Sequence, residues 1–414
     1  MNSRILPSAL LLVLTLACGP APQSTVTAPP APPATPATAP ARATSPAPAP
    51  PPRPIEADEV TEYVRSEQGP RNIILMIGDG MGVTQISAGL YSNSNHLNLE
   101  RFSVIGLHKS YSGDNLITDS AAGATAFASG VKSYNGAIGV DLDTLPVPTI
   151  LEMAEAAGMP TGLVANSSIV HATPAAFYAH ARYRQNYEEI AADLLNTDID
   201  LFIGGGAKFF ERRESDDRNL SDELRERGNA VQSFVDTDIK SLQVDRAKNL
   251  GYYTADSEPL PFSQGREYLV DASKLAVDYL DERDKDNRGF FLMIEGSQID
   301  WGGHSNDSDY IISEMIEFDE AIGAVLNFAQ QDGETLVIVT ADHETGGYAI
   351  NNGSEMGRID GAFTSDYHTA DLIPVFAYGP GAERFSGIYE NTAIFDKMMQ
   401  LYGLRPVGES PQNR

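Results

Sequence analysis

Residues 72–80 read Asn-Ile-Ile-Leu-Met-Ile-Gly-Asp-Gly. A continuous apolar run that ends at glycine and aspartate is typical of a strand buried on both faces, whose carboxyl end opens into a loop. Similar runs recur along the chain and predict further core strands at residues 161–165, 200–203, 290–294, 335–339 and 373–378. The stretch at 72–80 therefore predicts a strand of a sheet that is covered on both sides.

The segments between these runs carry apolar residues at helical spacing. Two helix faces are predicted in this way, one of Tyr268, Ala272, Leu275 and Tyr279 and one of Ile312, Met315, Ile322, Val325 and Leu326. The alternation predicts an α/β fold, a three-layer α/β/α sandwich with a mainly parallel central sheet. Residues 210–261 are polar and weakly patterned, and the sequence leaves open whether they form an excursion from the sheet or a lid.

The first residues have the layout of a secretory signal peptide, which we place at residues 1–17. Arg4 precedes an apolar run from Leu10 to Leu16, and this run is too short to span a bilayer. Cys18 is the only cysteine of the chain, and the residues before it resemble the lipobox of a bacterial lipoprotein. We therefore expect export to the periplasm or cell envelope and a lipid anchor on Cys18, with ordinary cleavage and release as the alternative.

After Cys18 the composition changes to almost nothing but proline, alanine, threonine and serine as far as about Pro54. Such a composition cannot bury a core and favours extended conformations, so residues 18–68 are interpreted as a lipidated cysteine followed by a disordered linker. A globular domain is predicted over residues 69–408. This domain contains no cysteine, so metal ions, and not disulfides, would have to hold it together.

The chain is strongly acidic, with 57 acidic against 29 basic residues and a formal net charge of -28. This balance argues against a nucleic-acid-binding role, because such proteins neutralise phosphates with lysine and arginine. An anionic substrate would need a local source of positive charge.

Acidic and histidine-containing loops follow several of the predicted strands. Asp79 ends the first, Glu295 follows the run at 290–294, and Asp342 and His343 follow the run at 335–339. In open α/β sheets ligands gather at the carboxyl ends of the strands. This coincidence is the first indication of a functional site.

Asp300 and His304 are four residues apart, which places them on one face if the segment is helical. Because two glycines lie between them, the sequence does not decide whether the segment forms a regular helix. Taken alone, an aspartate and a histidine at this spacing are more often exposed to solvent than bound to a metal ion. His343 and His368 also lie close to predicted strand ends. The chain has seven histidines, and a position at the solvent-exposed surface does not readily explain why three of them lie in such loops. Zinc sites combine histidine and carboxylate ligands from separate loops.

Asp119 and Ser120 precede a run of small residues and mark the start of a helix. Ser120 would lie among free backbone N–H groups, which favour an anion. The alternative is an ordinary helix cap.

Taken together, six motifs resemble those of alkaline phosphatases, in the order of that family and between residues 72 and 375. They are Gly-Asp-Gly-Met-Gly at 78–82, Thr-Asp-Ser-Ala-Ala at 118–122, His-Ala-Thr-Pro-Ala at 171–175, Glu-Gly-Ser-Gln-Ile-Asp at 295–300, Thr-Ala-Asp-His-Glu-Thr-Gly-Gly at 340–347 and His-Thr-Ala at 368–370. Any one motif is weak, whereas six in order are specific.

The resemblance implies hydrolysis of phosphate monoesters with two zinc ions and one magnesium ion, and with Ser120 as a nucleophile that is transiently phosphorylated. The implied ligands are Asp300, His304 and His368 for one zinc, Asp79, Asp342 and His343 for the other, and Asp79, Thr173 and Glu295 for magnesium. The mixed and the oxygen-only ligand sets suit zinc and magnesium respectively.

The resemblance also places a phosphate-binding arginine at Arg184, with Arg182 as the competitor. Two departures from the family pattern are His171, where some members carry aspartate, and Trp301, where others carry a basic residue. We expect His171 to affect the third metal. Trp301 either shapes the phosphate pocket, alters product release or has an ordinary packing role.

Two other functions remain open from the sequence. One is a different hydrolase of the same superfamily, such as a phosphodiesterase, and the other is a non-catalytic surface protein that binds zinc or phosphate. A phosphodiesterase normally favours threonine as nucleophile, whereas the sequence offers Ser120. The physiological ester, the pH optimum and the formation of a homodimer are left open as well.

Overall fold

The computed structural model describes residues 69–404. These residues belong to the larger of two compact units of the chain, Pro52–Arg414. The predicted signal peptide, Cys18 and the predicted linker at 18–68 lie outside the described residues, as do residues 405–408 of the predicted domain. Within residues 69–404, no helix is both long enough and apolar enough to cross a membrane.

Strands and helices alternate through most of the described chain. The helices are α1 Val83–Ser92, α2 Ser120–Ser129, α3 Ile150–Ala156, α4 Ala172–Ala175, α5 Tyr187–Asp193, α6 Ala207–Glu211, α7 Leu220–Glu226, α8 Leu269–Arg283, α9 Gln298–His304, α10 Ser308–Asp332 and α11 Thr392–Tyr402. The strands are β1 Asn72–Gly78, β2 Val104–Lys109, β3 Thr161–Ser168, β4 Leu201–Gly205, β5 Ala230–Ser233, β6 Leu250–Tyr253, β7 Phe291–Gly296, β8 Thr335–Thr340, β9 Glu344–Thr345, β10 Ala349–Ile350, β11 Gly361–Ala362, β12 His368–Thr369, β13 Leu372–Tyr378 and β14 Gly387–Glu390.

Ten of the described strands form one sheet in the order β14-β2-β13-β8-β1-β7-β3-β4-β6-β5. Neighbours pair in parallel, except that β13 runs antiparallel to both β2 and β8. The α/β fold class with a mainly parallel central sheet is confirmed. Each of the six predicted core strands is present, five of them within two residues of their predicted bounds, whereas β3 ends at Ser168, three residues beyond its predicted end.

The central strand β1 shows why its sequence is apolar without alternation. Ile73, Leu75 and Ile77 pack into the core on one face of the sheet, whereas Ile74 and Met76 pack into the core on the other. Because successive side chains of a strand point to opposite faces, both sets must be apolar when helices cover both faces.

Residues 210–261 contribute to the sheet, so the expectation of a lid or an excursion was wrong for part of this region. They contain β5 and β6, which pair with each other and extend the sheet beyond β4. Gly251 lies within β6, and a Cβ atom there would be 2.3 Å from Cζ of Phe202. Strand β6 has only four residues, and one of them is glycine, so its sequence shows no clear apolar pattern.

The topology places several loops at one edge of the sheet. Strands β1, β3, β7 and β8 are parallel, so their carboxyl ends meet there. Strand β13 runs the other way and starts at the same edge, which brings His368, just before it, to the site. The short antiparallel pair of β12 and β9 fixes His368 opposite Thr345.

Candidate active site

Within the described residues, three groups of metal-ligating atoms lie at this edge, the atoms of each group within 4.8 Å of one another. The histidine cluster consists of Asp300, His304 and His368. The central cluster consists of Asp79, Asp342 and His343. The third cluster consists of Asp79, His171 and Glu295, and it shares Asp79 with the central cluster.

Asp300 and His304 lie on α9, so the segment is helical despite Gly302 and Gly303. A Cβ atom on Gly302 would be 2.8 Å from the backbone nitrogen of Ile311, and one on Gly303 would be 2.8 Å from the backbone oxygen of Thr345. The two glycines therefore allow α9 to pack closely against α10 and β9. This packing holds Asp300 and His304 on the side of the site.

The histidines of the histidine cluster are oriented for metal binding. Nδ1 of His304 lies 2.7 Å from the carbonyl oxygen of Asp366, and Nδ1 of His368 lies 2.8 Å from that of Thr118. A carbonyl only accepts, so each ring keeps its proton on Nδ1 and presents the lone pair of Nε2. The two Nε2 atoms are 3.1 Å apart. Two facing lone pairs repel each other unless a cation lies between them.

The central cluster is buried and electrostatically strained. Both carboxylate oxygens of Asp79, and Oδ2 of Asp342, have no hydrogen-bond partner within residues 69–404. Burial, followed by the charges of Asp342, Asp300 and Glu295, raises the pKa of Asp79 well above its ordinary value. Burial, followed by the charge of Asp300, raises the pKa of Asp342 to about 7. A divalent cation would satisfy these oxygens and offset their repulsion.

The third cluster has the same character. Oε1 of Glu295, Oγ1 of Thr173 and Nδ1 of His171 are buried without a partner in the described part of the chain. Burial is the main cause that raises the pKa of Glu295 to about 7. Burial, and then the charge of Arg184, lowers the pKa of His171 to about 3. The predicted set of Asp79, Thr173 and Glu295 is brought together, and His171 joins it with a neutral imidazole.

Helix α2 begins at Ser120, and Asp119 is its N-cap, accepting a hydrogen bond from the backbone N–H of Ala122 at 3.0 Å. The cap is therefore Asp119, which leaves the Ser120 hydroxyl free to face the site. Its Oγ is buried and lies 3.4 Å from Nε2 of His343. Gly123 lets the helix approach, because a Cβ atom there would be 2.9 Å from Cβ of Asp342.

Arg184 is the arginine that reaches the site. Its Nη1 donates to Oδ2 of Asp119 at 3.1 Å, and its Nη2 lies 3.4 Å from Nε2 of His171. Burial lowers the pKa of Arg184, but the charges of Asp119 and Asp79 more than offset this and raise it. The side chain of Arg182 has no such contact: its Nε is buried without a hydrogen-bond partner within residues 69–404, and only its backbone carbonyl oxygen accepts a hydrogen bond, from the hydroxyl of Tyr134.

Two further residues belong to the site and were not predicted individually. Thr345 donates from Oγ1 to Asp300 and lies 3.2 Å from Nδ1 of His343, so it links two of the clusters. Gly80 has a φ of 73°, and a Cβ atom there would be 2.7 Å from Cα of Asp300. Both lie inside the motifs quoted above, but their contacts depend on how the loops meet.

Trp301 is partly exposed beside the third cluster. Its ring meets the ring of His171 edge to face, with centroids 6.0 Å apart and an interplanar angle of 76°. The indole therefore packs against a side chain of the site.

Comparison with known proteins gives consistent matches over most of the chain. The family profile for alkaline phosphatase matches residues 70–360. Alkaline phosphatase 3 of Bacillus subtilis is 34% identical, over 78% of this chain and 87% of the relative. The solved alkaline phosphatase of the Antarctic bacterium TAB5 superposes with a TM-score of 0.77 at 45% identity, over 82% of this chain and 99% of that one. A histidine-to-aspartate variant of that enzyme, with magnesium bound in its M3 site, gives 0.76 and 44% over the same shares.

Proposed function

The chain belongs to the alkaline phosphatase family and hydrolyses phosphate monoesters, and we propose that it acts through a phosphoserine on Ser120 with two zinc ions and one magnesium ion. The observation that supports this proposal best is the set of buried ligand atoms without partners in residues 69–404, together with the facing Nε2 atoms of His304 and His368. Such atoms are costly to bury unless a cation binds them.

The chemistry of each cluster suggests its ion. Imidazole and carboxylate together favour zinc, so the histidine cluster and the central cluster would each hold one zinc ion. The third cluster offers hard oxygens from Asp79 and Glu295, and Thr173 beside Glu295 adds a third, which together suit magnesium. His171 adds a nitrogen that magnesium accepts less readily. We therefore expect this cluster to bind magnesium more weakly than an oxygen-only set would.

Bound metal ions would lower the pKa of the attacking hydroxyl and stabilise negative charge on the phosphate and on the leaving oxygen. Ser120 is held at the first residue of α2, where backbone N–H groups and its own Oγ face the same place. Asp119 fixes one side of the Arg184 guanidinium, whose remaining N–H groups can bind two phosphate oxygens. Local positive charge thus attracts an anion to an acidic protein.

In the first step, the oxygen of Ser120 attacks phosphorus, and the ester oxygen leaves from the opposite side, on the side of the histidine cluster. In the second step, water displaces Ser120 and releases inorganic phosphate. Each step inverts the configuration at phosphorus, so the whole reaction retains it. The chain contributes positioning and charge, which supply most of the catalysis in phosphoryl transfer.

The proposal is tested with matched nitrophenyl phosphate, bis-nitrophenyl phosphate and nitrophenyl sulfate at alkaline pH. We expect fast cleavage of the monoester alone, loss of activity on chelation, and recovery when zinc and magnesium are restored together. Preference for the diester or the sulfate would overturn the substrate class. Recovery with magnesium alone would overturn the zinc assignment.

We also propose that the protein is exported to the periplasm or cell envelope and anchored there through lipid on Cys18. The apolar run before Cys18 and the proline- and alanine-rich stretch after it support this proposal. We expect mass spectrometry of the N-terminal peptide to show an acylated cysteine as its first residue. An intact unmodified thiol in the mature protein would contradict the anchor.

We further propose that the enzyme forms a homodimer through the face of strands β13, β2 and β14. Ile105, Leu372 and Ile388 point to this face and are 57%, 42% and 63% exposed. The patch also carries the Lys109–Glu390 ion pair, so both signs of charge are available to a second copy. We expect sedimentation velocity to give a dimer that Ile105→Lys converts to a monomer. A monomeric unsubstituted protein would contradict it.

A further inference from the structure

His180 is a buried side chain whose two ring nitrogens both face hydrogen-bond acceptors. Its Nδ1 lies 2.6 Å from the carbonyl oxygen of Gly139, and its Nε2 lies 2.9 Å from Oε1 of Glu152 on α3. A carbonyl and an ionised carboxylate only accept hydrogen bonds, so both nitrogens must carry a proton. The ring is therefore an imidazolium, although only 5% of the side chain is exposed.

The charged groups that face His180 come from two helices. Glu152 of α3 faces the ring, and Asp193 of α5 accepts a hydrogen bond from the backbone N–H of His180 at 2.9 Å, with the charge of Glu189 close to Asp193. Burial lowers the pKa of His180, but the hydrogen bond and the charge of Glu152 more than offset this and raise it. The ring therefore keeps its second proton to a higher pH than an exposed histidine does, and loses it in alkaline solution.

The segment that contains Gly139 pairs with the segment that contains Arg184. Ile138 and Ala181 exchange both of their backbone hydrogen bonds, each at 2.9 Å. The backbone N–H of Arg184 donates to the carbonyl oxygen of Gly136 at 2.8 Å. The backbone position of the phosphate-binding arginine is therefore fixed by residues 136–139.

The same segment is also attached to helix α2, which begins at Ser120. Oγ1 of Thr125 in this helix donates to the carbonyl oxygen of Ala137 at 3.1 Å and accepts from the backbone N–H of Gly139 at 3.1 Å. Residues 137–139 therefore connect the helix of the nucleophile to the segment of the phosphate-binding arginine. The ring of His180 holds this connection at its Gly139 end.

We propose that His180 is a positioning residue for Arg184, and that its imidazolium form holds Arg184 where the guanidinium binds phosphate. The inference rests on the proposed function, in which Arg184 binds phosphate oxygens. A ring that has lost one proton can keep only one of its two hydrogen bonds, because its other nitrogen then presents a lone pair to an acceptor. Phosphate therefore binds less tightly once His180 is neutral, which favours release of inorganic phosphate in alkaline solution.

Glu152→Gln distinguishes this role from a merely structural one. Oε2 of Glu152 accepts from the backbone N–H of Thr149 at 2.9 Å, and the amide oxygen of a glutamine can take over this contact. The amide nitrogen then faces Nε2 of His180 and can donate to it. This arrangement suits a neutral ring whose remaining proton, on Nδ1, is donated to Gly139. The variant therefore keeps both contacts of the ring after His180 has lost its second proton.

The experiment measures the dissociation constant of inorganic phosphate by calorimetry, for the zinc- and magnesium-loaded parent and Glu152→Gln, from about pH 6 to about pH 10. The ratio of the two constants at one pH cancels the ionisation of phosphate and of the metal sites. We expect the parent and the variant to bind equally at the low end. We expect the parent to become roughly fivefold weaker than the variant at the high end, which is the lower range of coupling between two sites.

Glu155→Gln is the matched control, because Glu155 is another glutamate of α3 and titrates in the same range. Its oxygens accept from Oγ1 of Thr161 and the backbone N–H of Asp198, and burial raises its pKa to about 8. We expect the ratio of the parent to this variant to stay near one throughout. The same rise in Glu155→Gln would overturn the proposal, because it would then follow from loss of a charge on α3.

A ratio for Glu152→Gln that is constant with pH would also overturn the proposal, since a structural contact acts equally at every pH. Tight binding of phosphate with such a constant ratio would leave the proposed function intact. Absence of phosphate binding in the loaded parent would overturn both, because the loaded protein would then have no phosphate site for Arg184 to complete.

Discussion

Replacing Ser120 with alanine is expected to lower kcat/KM for a phosphate monoester by at least about 1,000-fold, the scale on which loss of a nucleophile acts. The reason is geometric: Ser120 Oγ is the only atom of that side chain that can attack, and it faces the central cluster 3.4 Å from Nε2 of His343. Zinc content, measured by atomic emission, should remain unchanged, because the ligand atoms of all three clusters are retained.

Ser129→Ala is the control, since Ser129 is a buried serine at the other end of the same helix. It should keep activity and metal content. A Ser120→Ala enzyme that keeps its activity would remove Ser120 as the nucleophile. A variant that loses activity together with its zinc would instead indicate that the hydroxyl mainly supports the central cluster.

Strands buried on both faces could be predicted from the sequence, because they require continuous apolar runs. Strand β1 is the clearest case, and β7 and β8 on either side of it have the same character. Strands β5 and β14 have four residues each and lie at the two edges of the sheet. An edge strand needs fewer apolar residues, so its pattern resembles that of a loop.

The site could be predicted only in part, because its contacts arise from folding and not from spacing along the chain. Asp79 and Glu295 follow strong strands, so their position at one edge of the sheet follows from the parallel topology. His368 reaches that edge only because β13 runs antiparallel and β12 pairs with β9. The two contacts of the His180 ring had no signal in the sequence.

Replacing Asp79 with asparagine is expected to have a second very large effect, with loss of two metal ions and a fall in activity of at least about 1,000-fold. Asp79 is the residue that the central cluster and the third cluster share. Neither of its carboxylate oxygens accepts a hydrogen bond within residues 69–404. Glu295→Gln should lose only the ion of the third cluster. Metal analysis of the two variants after dialysis therefore distinguishes a shared ligand from a single-site one.

The same substitution should stabilise the metal-free protein at high pH, which separates a role in metal binding from a role in folding. Burial raises the pKa of Asp79 in the folded protein well above its ordinary value of 3.8. The folded protein therefore binds this proton more tightly than the unfolded chain does. The resulting stability is present at low pH and is lost as the pH rises from about 4 through the folded-state pKa. Asparagine is neutral at every pH, so the melting temperature of chelated Asp79→Asn should exceed that of the chelated parent at pH 9, with a smaller difference at pH 4. If chelated Asp79→Asn instead melted below the chelated parent at pH 9, Asp79 would be a structural residue. Its carboxylate oxygens without hydrogen-bond partners would then not indicate a cation site.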